Sequence, residues 1–309
     1  MSLSGWVEAL QHSRGTSKML GIVVVGIGIV GKVRIRDLLN PLPSSAVEKL
    51  KPLGFVSRQT LSSVLQLKQI SLGEALESSE VQAAIICLEN QLHEEYVRKF
   101  LEAGKHVCVE YPMALSAAAA HELWDLAAAK GKILHEEHIE LLTADYKQLK
   151  REVSGKELLK GTLHFTGSAL DKQRTGFLAF SGIARISWLV DLFGELTVTS
   201  ATLEEQQNER YSKLTAHFQT KTNRPLTWIE ERGPDLKRGK NINFHFECGI
   251  LEHIPDAPKE NVGIFMQDLN LFAQKLLGEV PLEHVNSEMK HTLFCLDLAE
   301  KIRGFCEAN

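Results

Sequence analysis

Cysteine is sparse in this chain, and its five residues, Cys87, Cys108, Cys248, Cys295 and Cys306, are scattered and odd in number. That pattern supports no disulfide framework and fits a reducing compartment, so a cytoplasmic location is expected. Cys87 and Cys108 lie inside apolar, strand-like runs, where a reduced thiol acts as a small core residue. An excess of basic charge is also missing: 35 Lys and Arg stand against 39 Asp and Glu, a formal net charge of -4. A phosphate-coating surface ordinarily needs the opposite balance, which argues against nucleic acid as the main partner. The first twenty residues contain no continuous apolar stretch, only Trp6 and Leu10 among polar groups. Neither a signal peptide nor a membrane span is read there, and residues 1–18 are expected to form a flexible leader. Internal repeats are absent, and the one biased segment is the alanine-rich run Ser116 to Lys130.

What is present is enough apolar material for two ordinary cores: 44% of 309 residues are hydrophobic. Strand-like runs at Ile22–Val25, Gly54–Ser57, Ala83–Leu88, His106–Val109 and Lys132–Leu134 alternate with helical stretches at about Lys32–Leu39, Ser71–Leu76, Glu94–Ala103 and Ser116–Lys130. Ser71, with Glu74 three residues on, reads as a capping box. The alternation predicts a parallel, doubly wound sheet. Beyond about Glu140 the pattern changes to one helix, Leu141–Val153, and then mostly extended segments: Leu158–Thr166, Leu196–Glu205, Tyr211–Thr220, Leu226–Glu230 and Asn241–Cys248. In the last of these, Ile242, Phe244, Phe246 and Cys248 share one parity, the mark of a half-buried antiparallel strand. Helices at about Ile264–Leu277 and Ser287–Phe305 close the chain.

Gly26-Ile27-Gly28-Ile29-Val30-Gly31 follows the first strand and opens a helix. In that context the first glycine permits a tight turn, the second admits a pyrophosphate to the backbone, and the third lets helix and strand pack closely. The fold class expected is therefore α/β: a Rossmann dinucleotide-binding domain over 19–140, then an α+β domain with a large, mostly antiparallel open sheet over 141–309. A cleft between them is the expected binding site. The second strand ends in Ser57-Arg58-Gln59. A hydroxyl and a guanidinium suit the 2′-phosphate of NADP better than the ribose hydroxyls of NAD; the alternative is a solvated surface arginine. Glu89-Asn90-Gln91-Leu92-His93 follows the third strand, where loops usually pass over the nicotinamide-side ribose, and His93 reads equally as a ligand residue or as a helix-start histidine. Glu110-Tyr111-Pro112 ends the next strand, placing an acid and a ring hydroxyl at the carboxyl edge of the sheet, where ligands of such sheets bind. His135-Glu136-Glu137-His138 lacks the spacing of a zinc-protease motif and reads as polar residues at a cleft rim. Cys295 and Cys306, eleven apart on a helix, lie about 16 Å from one another and cannot share one zinc.

With these residues in place, the chain resembles the biliverdin reductases of the vertebrate A type, a divergent branch of the glucose-fructose oxidoreductase-like superfamily. The resemblance runs from about Gly21 to Cys306. It is carried by Gly54-Phe55-Val56-Ser57-Arg58, Gly104-Lys105-His106-Val107, Glu110-Tyr111-Pro112-Met113, Leu134-His135-Glu136-Glu137-His138, Ala179-Phe180-Ser181-Gly182-Ile183, Phe193-Gly194-Glu195-Leu196 and Ser200-Ala201-Thr202-Leu203-Glu204-Glu205. It implies reduction of biliverdin IXα to bilirubin IXα by NADPH or NADH, in haem catabolism. A monomer is expected. Gly26 to Gly31, Ser57 to Gln59, Asn90 to His93, Glu110 and Tyr111 would line the cofactor. The chain departs from the family in having Ile29-Val30 where an Arg-Ala pair is frequent, and Arg58-Gln59 where two arginines are frequent. The tail lacks the family's paired His-Cys and Cys-Cys, so no metal is carried over.

Hydride addition to the central methine leaves negative charge on the pyrrole system, which a nearby cation or acid should stabilise. Arg185 is the expected catalytic group, near where sugar-oxidising relatives carry a histidine; no histidine lies between His164 and His217. A guanidinium stays charged, so Arg185 would polarise substrate or orient a water rather than donate a proton. Its alternative role is a surface ion pair. Tyr111 is expected to contact the nicotinamide or donate a hydrogen bond, or else simply to pack there. Lys172, Arg174, Lys237 and Arg238 are available for the substrate's propionates. A sugar or inositol dehydrogenase, which would carry Glu-Lys-Pro and a catalytic histidine, and a non-catalytic NADP sensor are the competing functions.

Overall fold

The computed structural model describes residues 19–61 and 63–308; the leader expected over 1–18 lies outside the described residues. Contacts along the chain group into two units. One holds the chain through Ala114 with Ala118–Ile139 and Asn261–Lys290; the other holds Leu115–Ala117, Glu140–Glu260 and His291 onward.

The first unit runs β1 (Leu20–Val25), α1 (Ile29–Leu39), β2 (Leu50–Val56), a small hairpin of β3 (Ser63–Val64) and β4 (Leu67–Lys68), α2 (Leu72–Glu77), β5 (Val81–Ile86), α3 (Asn90–Glu102), β6 (His106–Val109), α4 (Ala117–Lys130) and β7 (Leu134–Glu136). Five strands form a parallel sheet in the order β2-β1-β5-β6-β7. β1 is covered on both faces, which is why Ile22, Val23 and Val24 form an unbroken apolar run and are fully buried. Chain order reverses between β1 and β5, so the ligand crevice of such a sheet opens at the carboxyl ends of those two strands. The expected capping box is present: Glu74 N donates to Ser71 Oγ at 3.1 Å, and Ser71 N donates to Glu74 Oε2 at 2.7 Å.

The second unit continues with α5 (Ala144–Val153), β8 (Leu158–Gly167), α6 (Lys172–Thr175), α7 (Leu178–Ser181), α8 (Ile183–Phe193), β9 (Leu196–Gln206), β10 (Tyr211–Thr220), β11 (Pro225–Arg232), β12 (Gly239–Phe246) and β13 (Gly249–Leu251). These strands make one sheet in the order β13-β12-β8-β11-β10-β9. Only the β8–β11 pairing is parallel. Ile242, Phe244 and Phe246 of β12 are buried, whereas the strand stops before Cys248, which is exposed in the turn to β13.

α9 (Ile264–Leu276) and α10 (Leu282–Glu307) complete the chain. The second domain was expected to hold all of 141–309, but α9 packs in the first unit. Its Met266, Leu269, Phe272, Ala273 and Leu276 join the core of Ile22, Val24, Ile35, Leu38, Val47 and Phe55. The cause is apolar: each of the Met, Leu and Phe side chains, when fully buried, contributes about 1.5–3 kcal/mol.

Candidate functional site

The glycine loop divides its three glycines by geometry. Gly26 has φ +93°, and a Cβ there would stand 2.2 Å from the Cys87 carbonyl oxygen; a Cβ on Gly31 would stand 2.0 Å from the Gly26 oxygen. Both positions are closed by backbone. At Gly28 a Cβ would meet nothing within 4 Å, so this is the side open to a ligand. Gly28 also caps α1, whose first turn has no side-chain cap and no acid, a helix end that suits an anion. Ile27 and Val30 pack against the core, while Ile29 stands 87% exposed on the loop.

Beside this loop, a cavity of about 520 Å³ is lined by Val25, Val56, Ser57, Arg58, Gln69 and Leu88, among others. Ser57 Oγ accepts from Gln59 N at 3.0 Å. Gln69 Nε2 donates to the carbonyls of Ser57 and Gln59, both at 2.9 Å, and so fixes the loop that presents Arg58. Gln69 was missed by sequence reasoning, because nothing local marks a glutamine that works through backbone. Arg58 is exposed and lies 3.3 Å from Glu89 Oε1 across the crevice. Asn90, Gln91 and Leu92 form the first turn of α3, and Gln91 Nε2 donates to Glu89 Oε2 at 3.4 Å.

Of the two readings of His93, as a ligand residue or as a helix-start histidine, the structure favours the second. The ring is fully buried, with Nδ1 2.7 Å from the Pro112 carbonyl and Nε2 2.9 Å from the Leu88 carbonyl. Both nitrogens face backbone carbonyls, of which a neutral ring can donate to one, and the ring packs between the start of α3 and the turn after β6. Burial lowers its pKa, against the pull of those two carbonyls.

That turn carries Glu110 and Tyr111, joined through a cis peptide bond to Pro112. Burial pushes the Glu110 carboxyl up to about 7, with Arg34 and a hydrogen bond from Cys87 opposing the shift. Its Oε1 is buried without a hydrogen-bond partner. Beneath it, Arg34 Nη2 lies 2.6 Å from both Glu137 Oε2 and Asp268 Oδ2. One guanidinium cannot keep two buried carboxylates ionised. Burial opposes ionisation of Asp268, but Arg34 and His135 outweigh it and hold that group below its ordinary range. Burial pushes Glu137 up to about 8 despite the same arginine, and pushes Glu136, which accepts from Met113 N at 2.7 Å, up to about 8.

The rim position expected for His135-Glu136-Glu137-His138 is thereby corrected, since His135, Glu136 and Glu137 are all buried. Lys275 Nζ donates to His135 Nδ1 at 2.7 Å, so the ring proton sits on Nε2, 3.0 Å from Asp268 Oδ1. Cys108, His135 and Asp268 place one ligand atom each within 4.8 Å of one another. Arg34 and Lys275, both bonded into that trio's neighbourhood, oppose a further cation there.

In the second unit Arg185 sits on α8 and is 6% exposed, not the surface group that its alternative role required. Its guanidinium lies 3.6 Å from the centre of the Phe165 ring, and its Nε lies 3.5 Å from Glu230 Oε2. Arg232 and Arg238 approach the same ring at 4.6 and 5.8 Å. Arg232 Nε donates to Glu230 Oε1 at 2.9 Å. Arg238 and Lys240 both pair with Glu140. Burial opposes ionisation of Glu140, yet Lys240, Arg185 and Arg238 outweigh it and lower its pKa. Three guanidiniums thus face the Phe165 ring and Lys240 lies 4.6 Å from the centre of the Trp188 ring, four cations against two carboxylates, an arrangement suited to a flat, anionic ligand. Of the cations expected for propionates, Arg238 joins this cluster, whereas Lys172 pairs with Glu205 beside a separate cavity of about 520 Å³. Arg232 and Lys240 went unread, although Arg232 shares its strand face with Glu230 two positions away.

Among the described residues, no helix is long and apolar enough to cross a membrane. Residues 146–258 match the family model of the biliverdin reductase catalytic domain, and residues 20–138 match that of the oxidoreductase family with an NAD-binding Rossmann fold. Biliverdin reductase A of Homo sapiens is 54% identical over 94% of this chain and 97% of its own length. The Mus musculus protein of the same name is 53% identical over the same shares. A solved biliverdin reductase from Synechocystis sp. PCC 6803, in complex with biliverdin and NADP+, superposes with a TM-score of 0.78 at 22% identity, covering 94% of this chain and 100% of that one. Scyllo-inositol dehydrogenase from Lactobacillus casei gives 0.73 at 14% identity over 96% and 98%, and shares the fold. From its glycine loop to its last helix, this chain belongs to the biliverdin reductase family.

Proposed function

We propose that the chain reduces biliverdin IXα to bilirubin IXα, with NADPH or NADH as the reductant and the central methine carbon as the acceptor. The observation that carries this reading is identity above one half with human biliverdin reductase A across 94% of the chain. The residues present fit the cofactor: Gly28 leaves open space at the amino end of α1, and Ser57 and Arg58 stand at the end of β2. When bound, the dinucleotide supplies the hydride. The α1 amides would hold its pyrophosphate and Arg58 and Ser57 its 2′-phosphate, while Glu110 and Tyr111 would lie toward the nicotinamide at the carboxyl end of the sheet.

Arg185 holds the negative charge that develops on the pyrrole system, and Arg232, Arg238 and Lys240 provide cations for the propionates. Because a guanidinium does not release a proton, the proton comes from another group or from water. Glu110, pushed up to about 7, is the first-unit acid poised to exchange one near neutrality. All five cysteines are free, which supports a cytoplasmic enzyme, and we infer that it acts as a monomer. Mixing the purified protein with NADPH and biliverdin tests the reading: bilirubin's absorbance band should grow as biliverdin's falls. A spectrum that stays unchanged while NADPH binds would mark a nucleotide sensor instead.

A further inference from the structure

The loop after β5 sets a carboxylate against the one cation that the end of β2 offers to a cofactor. We propose that Glu89 tunes the choice between NADPH and NADH by competing with the 2′-phosphate for Arg58. The proposal rests on the reading of the first unit as a dinucleotide site and deepens it.

Arg58 Nη2 stands 3.3 Å from Glu89 Oε1, with the side chains 65% and 23% exposed. Glu89 occupies the N-cap position of α3 yet makes no side-chain capping bond. An acid at that position ordinarily turns inward to the first amides of its helix; this one faces Arg58 and Gln91 instead. Gln59 fills the place where a second cation would share the load. The loop backbone is pinned by Gln69, so an arriving phosphate draws on the Arg58 side chain.

An exposed ion pair is weak, so Glu89 does not lock Arg58 away; it sets up a competition. A 2′-phosphate takes two guanidinium N–H groups and carries close to two negative charges. It must displace the Glu89 carboxylate and then lie beside it. A 2′-hydroxyl meets no such conflict, and a carboxylate is the group that NAD sites use to accept from ribose hydroxyls. Arg58 therefore draws the site toward NADPH and Glu89 toward NADH.

Adenosine 2′,5′-bisphosphate and 5′-AMP, which differ at the 2′ oxygen, are the probes. Their affinities are measured by calorimetry at low salt on the full chain, for wild type, Glu89→Gln, Arg58→Ala and the double variant. Glu89→Gln should raise the preference for the bisphosphate about tenfold, and only about two- to threefold when Arg58 is already alanine. An unchanged preference in Glu89→Gln overturns the proposal. So does an equal gain with and without Arg58, which would mean that Glu89 acts on the phosphate alone. Equal weakening of both nucleotides also overturns it, because Glu89 would then merely hold the loop. Pigment reduction is not read in this experiment: a chain that shows the shift but makes no bilirubin refutes the reductase reading and leaves the role of Glu89 standing.

Discussion

Replacing Arg34 by methionine removes the guanidinium shared by Glu137 and Asp268, each 2.6 Å from Nη2. Arg34 is 1% exposed, and its Nη1 also donates to the Phe265 carbonyl at 2.9 Å. Methionine keeps much of the stem's volume, so the loss is chiefly one of charge and hydrogen bonds. Removing one partner of a buried pair costs about 3–5 kcal/mol. With a urea slope of about 3 kcal/mol/M, the unfolding midpoint should fall by about 1–1.7 M. The double variant Arg34→Met, Asp268→Asn takes away the stranded charge as well and should recover a substantial part of the loss. Arg34 also opposes the burial that pushes Glu110 up to about 7. In any folded Arg34→Met protein, Glu110 should titrate at higher pH, as read by carboxyl carbon NMR. A loss of less than about 1 kcal/mol, or a double variant no more stable than the single one, would refute this account of the cluster.

Glu136 titrates from an ordinary 4.5 to about 8 in the folded chain, so the unfolded chain loses its proton first and stability falls as pH rises between those values. Glu136→Gln, which keeps an acceptor for Met113 N, should remove that share of the slope, and parallel stability–pH curves for the two proteins would count against it. Arg185→Ala should lower kcat for bilirubin formation on the order of a hundredfold, with Arg185→Lys intermediate because it keeps charge but loses the planar stack on Phe165; unaltered turnover would remove Arg185 from catalysis. Gly28→Ala should fold normally and bind NADPH weakly, whereas Gly26→Ala should lose thermal stability, since its φ of +93° and the Cys87 oxygen leave no room for a methyl group. Melting curves with and without NADPH separate the two, and indistinguishable behaviour would contradict the division of labour in the loop.

Local signals served well where local physics decides. β6 and β10 begin and end where the apolar pattern places them, and Ser71 with Glu74 forms the box that its spacing announces. β2 starts earlier than its pattern, at Leu50, because Lys51 and Pro52 disguise it; an edge strand tolerates a proline that a central one would not. The β3–β4 turn gives no signal at all, since Leu65 and Gln66 take positive φ where glycine or asparagine is usual. The buried run at His135–Glu137 was unreadable for a different reason. Arg34, Asp268 and Lys275, which satisfy it, stand more than a hundred positions away in sequence. Arg185 gained its place from its position on the chain, but its setting against Phe165 and Glu230 depends on strands that meet only in the fold.

The late return of α9 has a consequence for synthesis on the ribosome. A nascent chain that has emerged through β7 holds every strand of the first sheet, yet it lacks Phe272 and its neighbours, and the carboxylate that satisfies Arg34 and His135. At about 5–20 residues per second, that gap lasts on the order of ten seconds. Throughout that interval the amino-terminal half carries an open greasy flank, and Arg34 has only Glu137 of its two carboxylates, which makes it a natural client for a chaperone. It also means that a gene truncated after the first sheet would yield an insoluble product rather than a minimal nucleotide binder.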